Sequence, residues 1–100
     1  MTAMTLHEFK TTLSADEAPG VAPLLLALWH DARGDWNEAH RLAQDVETTD
    51  GAWVHAYLHR KEGSASNAEY WYERAGRKFQ RPKLEDEFQA LVEGLLGENP

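Results

Sequence analysis

The sequence predicts an all-α fold of six helices, with two antiparallel hairpins flanked by an N-terminal and a C-terminal capping helix. Three observations predict it. The pattern of a reciprocal helix cap, Ser, Thr or Asp with Glu three residues on, occurs at Thr5/Glu8, Asp35/Glu38 and Ser66/Glu69. Apolar residues recur at three- and four-residue spacing, and alternating strand patterns are nearly missing. A helix–glycine–helix unit occurs twice, offset by 29 residues.

Thr5 and Glu8 open the first helix, in which Leu6, Phe9 and Leu13 follow at helical spacing. "SADEAPG" (14–20) breaks it. Pro23 suits the first turn of the second helix, because its missing N–H would have no partner there. The apolar stripe of that helix is Leu24, Leu25, Leu28, Trp29 and Ala32, and Gly34 ends it. Asp35 and Glu38 open a third helix through about Glu47. Asp50 can cap the fourth, which Gly63 ends. Ser66 and Glu69 open the fifth, which runs to about Ala75 and stops at Gly76. Pro82 starts the sixth, with Leu84, Phe88, Leu91, Val92 and Leu95 on one face. The whole chain, 1–100, reads as one helical domain.

The repeat aligns Ala27 with Ala56, His30 with His59, Gly34 with Gly63 and Ala39 with Ala68. Small residues at matching places let two antiparallel helices approach closely, so each unit (21–47 and 50–76) reads as a helical hairpin. In "ARGDWNEAHRLA" and "KEGSASNAEYWYERA" the hairpins resemble tetratricopeptide repeats, which share a turn glycine followed by Ala, a large residue and Ala in the second helix. Ala68, Tyr72 and Ala75 fit that pattern, and Ala39 fits in the first unit. The period is 29 where the family has 34, and the closing proline is missing, so the resemblance implies tetratricopeptide-like hairpins rather than true repeats. The whole chain also looks like a family of small, mostly bacterial proteins of unknown function that carry "LWHDARGDW" and "GAWVHAYLHR". That likeness implies the fold and no mechanism.

Composition removes several functions. The chain of 100 residues has no cysteine, which excludes disulfides, thiolate metal sites and thiol nucleophiles. A net charge of −7 argues against nucleic acid as a partner, since phosphate neutralisation needs surplus Lys and Arg. One basic run, "RAGRKFQRPK" (74–83), is flanked by acid and reads as a solvated, self-neutralising surface. No targeting segment is visible. The longest apolar run, "VAPLLLALW", is far short of the about 20 residues of a membrane span, so neither a membrane partner nor a non-cytoplasmic location is expected.

Chemistry concentrates in residues 51–76. The fourth helix carries one stripe of Trp53, Val54, Tyr57 and Leu58, and another of His55, His59 and Glu62. "HAYLH" sets two imidazoles one turn apart, a spacing that binds zinc. It lacks the Glu that directly follows the first His in a zincin motif. A ligand pocket built from His30, His55, His59 and Glu62 is one reading. The other is structural: His30 and His59 occupy equivalent places beside the turn glycine, which suggests a recurring hydrogen bond to the helix end or the turn. The structural reading is favoured, so no metal and no cofactor are expected. His7 and His40 read as surface.

No nucleophile elbow or phosphate loop is present, so an enzyme is disfavoured. Trp, Tyr and Arg concentrate interface energy, which makes Trp53, Tyr57, Arg60, Lys61, Tyr70, Trp71 and Arg74 a candidate binding surface. Trp53 and Tyr57 fit equally as core under the second helix, whereas Tyr70, Trp71 and Arg74 fit an exposed face. The expected function is a non-enzymatic interaction module with a protein, peptide or second-copy partner. The alternative is a small-ligand or metal-binding protein using the histidines.

Overall fold

The local rules hold at the starts of the first three helices and shift by about two residues at the last three. The computed structural model describes residues 4–78 and 82–97. It contains α1 (Leu6–Thr12), α2 (Pro23–Ala32), α3 (Trp36–Gln44), α4 (Thr49–Glu62), α5 (Ala65–Arg74) and α6 (Leu84–Leu96). No strand occurs among the described residues. Residues 79–81 of the basic run lie outside the described residues.

The Thr5/Glu8 cap is reciprocal: Thr5 Oγ1 accepts from the Glu8 N–H at 3.1 Å, and Glu8 Oε1 accepts from the Thr5 N–H at 2.9 Å. Half of the second cap forms. Asp35 accepts from the Glu38 N–H, but the Glu38 carboxylate turns outward to a bidentate pair with Arg41. The third cap does not form. The N-cap of α5 is Ser64 rather than Ser66, and its hydroxyl accepts from the Asn67 amide instead of a backbone N–H. Likewise α4 is capped by Thr48, whose hydroxyl accepts from the Gly51 N–H, and Asp50 falls inside the first turn. There its charge still suits the positive end of the helix. α3 ends at Gln44, one turn before Glu47. Helix α6 begins at Leu84, with Lys83 as its cap.

The repeat appears in the backbone. The Asp35 N–H donates to the His30 carbonyl and the Ser64 N–H to the His59 carbonyl, each at 2.9 Å. These are the six-to-one bonds of a helix stop, with Gly34 (φ 88°) and Gly63 (φ 93°) supplying the left-handed residue. The matching histidines therefore share a main-chain bond, and the expected imidazole bond to the helix end is not what unites them.

Consecutive helices joined by these turns pack most closely, α2 on α3 and α4 on α5. Fully buried Ala27, Ala39, Ala56 and Ala68 sit along those seams and let the backbones approach. α3 also packs on α4, and α6 closes over α4, α2 and α1. Because α4 meets α2, α3, α5 and α6, it has no free face, and every residue from Gly51 to Leu58 is buried.

Candidate functional site

This central position of α4 decides the fate of the candidate residues. Trp53 is buried, and its indole N–H donates to Glu87 Oε2 at 3.2 Å. Tyr57 is buried, and burial pushes its phenol well above the usual range. Arg60 donates to Glu87 Oε1 at 2.7 Å and also to the Pro82 carbonyl. Lys61 pairs at 3.0 Å with Asp31, itself only 3% exposed. Trp53 and Arg60 thus tie α4 to Glu87 of α6 and Lys61 ties it to Asp31 of α2; Trp53 and Tyr57 are buried, Arg60 is partly buried, and Lys61 stays exposed.

Glu87 organises that core. Besides Trp53 and Arg60 it accepts from the Tyr72 hydroxyl, so three side chains from two helices meet on one carboxylate. Burial and this bond raise the Tyr72 phenol far above its ordinary value. The only sequence hint was an acid at i+3 between Leu84 and Leu91 on the apolar stripe of α6.

On the opposite side of α4 lies a layered stack of rings. The indole of Trp36 stacks on the His40 imidazole, with centroids 4.9 Å apart and planes at 12°. His40 meets His55 edge-on at 4.6 Å and His59 at 5.2 Å. His55 stacks on His59 at 4.8 Å on one side and on Trp71 at 3.9 Å on the other. The Arg74 guanidinium sits over Trp71 at 5.2 Å and over Tyr70 at 5.6 Å. The order follows from helical spacing. Trp36 and His40 are one turn apart on α3, His55 and His59 one turn apart on α4, and Trp71 and Arg74 adjacent on α5.

The nitrogens are as ordered as the rings. His40 Nε2 and His55 Nε2 are 2.9 Å apart, a hydrogen bond in which one ring donates and the other accepts. His59 Nδ1 meets Glu62 Oε2 at 2.6 Å. Ligand nitrogens of His40, His55 and His59 lie within 4.8 Å of one another. His55 is 6% exposed. Burial first, then the neighbouring imidazoles, pull its pKa down to about 4, and the same causes lower that of His40. His55 is therefore neutral at pH 7.

The structure changes the membership of the histidine group. His55, His59 and Glu62 lie together along α4. His30 does not join them; it lies edge-on to Trp29 at 5.1 Å. His40, expected at the surface, takes its place because Trp36 on the same face of α3 turns it toward α4. The repeat concealed this, since the position 29 residues after His40 is Glu69. Trp71 also departs from expectation. It is half-buried against His55, so the α4–α5 pair does use its face. Tyr70, 52% exposed, and Arg74 remain on the surface. Of the basic run, Arg77 is exposed, with its guanidinium over the Trp53 ring at 3.3 Å. Beside His55, Trp71 and Arg74 a cleft of about 460 Å³ runs along the start of α4, also lined by Gln44, Thr48 and Gly51.

Among the described residues no helix is long and apolar enough to cross a membrane. No family model, curated protein or solved structure matches the chain.

Proposed function

We propose that this is a non-enzymatic binding protein whose site is the histidine–aromatic cluster between α3, α4 and α5. One observation carries the reading: three imidazoles, two indoles and one carboxylate converge there, with ring nitrogens within 4.8 Å. Hydrophobic burial alone is served better by aliphatic side chains, which bring no polar atoms to satisfy. The adjoining cleft gives a small ligand access beside His55 and Arg74.

Trp36 and Trp71 report on the cluster directly. Their fluorescence, titrated with divalent metal salts and with small organic probes such as benzoate and indole, is expected to show a saturable change that His55→Phe abolishes. No saturable change with any probe would contradict the reading.

A second reading, a protein or peptide contact through Tyr70, Trp71 and Arg74, is favoured by the exposure of Tyr70 and by the Arg74 guanidinium stacked over both rings. Self-association is its simplest form. Sedimentation equilibrium would show a dimer that Tyr70→Ala weakens at least tenfold; a monomer at all concentrations would remove the homodimer.

A further inference from the structure

The nitrogen geometry narrows what the cluster takes, and the inference rests on the binding reading above. We propose that His40, His55 and His59 bind one divalent transition-metal ion, with zinc the best fit, and that Glu62 fixes the ring of His59.

The donor set selects the ion class. Neutral imidazole suits zinc, copper and nickel, whereas magnesium and calcium take oxygen donors. With no cysteine in the chain, soft thiolate chemistry is unavailable, and three imidazoles are the strongest nitrogen set it offers.

Distances come next. Tetrahedral zinc with Zn–N of about 2.05 Å holds its ligand nitrogens about 3.3 Å apart. The His40–His55 pair at 2.9 Å must open by about 0.4 Å. The widest separation, 4.8 Å, must close by about 1.5 Å. His40 and His59 are only partly buried, and the proposal requires their rings to shift by these amounts on binding. A water or external ligand would complete the four.

The surroundings fit a ligand set in two ways. Glu62 occupies Nδ1 of His59, which leaves Nε2 for the cluster. A carboxylate on the far nitrogen of a metal-bound histidine sets its tautomer and raises its basicity. Trp36 and Trp71 stack on the faces of His40 and His55. The lone pairs lie in the ring planes, so stacking does not cover them; a metal would replace the Nε2–Nε2 hydrogen bond between His40 and His55. A stack built only for packing requires neither the third nitrogen nor the carboxylate.

The test is calorimetric titration of the metal-free full chain with zinc chloride, with cobalt(II) absorption as a second probe of geometry. Wild type is expected to bind one ion per chain. His40→Ala and His55→Phe are expected to bind at least 100-fold more weakly, and Glu62→Gln ~10–100-fold more weakly with unchanged stoichiometry. His30→Gln, outside the cluster, should match wild type. Circular dichroism on each variant separates lost ligation from lost fold, and half-exposed His40 is the substitution least able to disturb folding. No saturable binding by wild type, or equal binding by folded His40→Ala, would overturn the proposal. If metal fails while an organic probe still shifts the Trp36 and Trp71 emission, the assignment of a metal falls and the binding reading stands. If neither responds, both fall.

Discussion

Trp71 stacks on His55 with ring centroids 3.9 Å apart and planes within 14° of parallel, joining α5 to the imidazole cluster of α4. Trp71 is half-buried, so Trp71→Ala is expected to cost about 2 kcal/mol. That lies between a neutral surface change and the ~3–5 kcal/mol of a fully buried aromatic. Urea denaturation at pH 7.5 measures it, and a loss under about 0.5 kcal/mol would show that the stack contributes nothing to the fold.

Glu87→Ala removes the shared acceptor of Trp53, Tyr72 and Arg60. It takes that acceptor away from two buried donors and from a partly buried guanidinium that keeps its bond to the Pro82 carbonyl. The expected cost is about 3–5 kcal/mol, as for breaking a buried ion pair. The same denaturation experiment checks it. Glu87→Gln, which keeps the shape and an acceptor, should cost less.

Gly51 meets the carbonyl of Val46 so closely that a Cβ added there has no room. Backbone on both sides leaves nothing flexible to yield. Gly51→Ala is therefore expected to destabilise by at least about 1–3 kcal/mol, although alanine is the better helix former. A melting temperature equal to wild type would mean that the α3–α4 connection can move.

Acid should weaken the metal-free protein through His55. Its folded pKa, about 4, lies below the ordinary 6.5. Between those values the unfolded chain binds the proton and the folded chain does not, so stability rises with pH. Stability from this residue is thus complete above pH 6.5, falls as pH drops toward 4, and is lost below it. His55→Phe should flatten that part of the profile, which equilibrium denaturation between pH 4 and 7.5 will show.

Fold class was legible because it rests on local rules. The Thr5/Glu8 cap, Pro23, Gly34 and Gly63 act within one turn, and the structure uses all four. The starts of α4 and α5 were misplaced because Thr48 and Ser64 compete with Asp50 and Ser66 for the same role, and at α5 the tight turn at Gly63 favours the earlier residue. Trp53 and Tyr57 were ambiguous for another reason. Periodicity shows that a helix has two apolar sides but not that four neighbours cover them. His40 was missed because its partners, His55 and His59, are 15 and 19 residues away on another helix. The local signal that existed was Trp36 one turn before it, an aromatic that fixes which way the imidazole faces.

X-ray absorption at the zinc edge, on protein carrying one equivalent of zinc, tests the central claim most directly. About three imidazole nitrogens at about 2.0–2.1 Å are expected, with the ring scattering of histidine, and loss of one imidazole in His40→Ala. An oxygen-only shell, or a spectrum unchanged in His40→Ala, would contradict it.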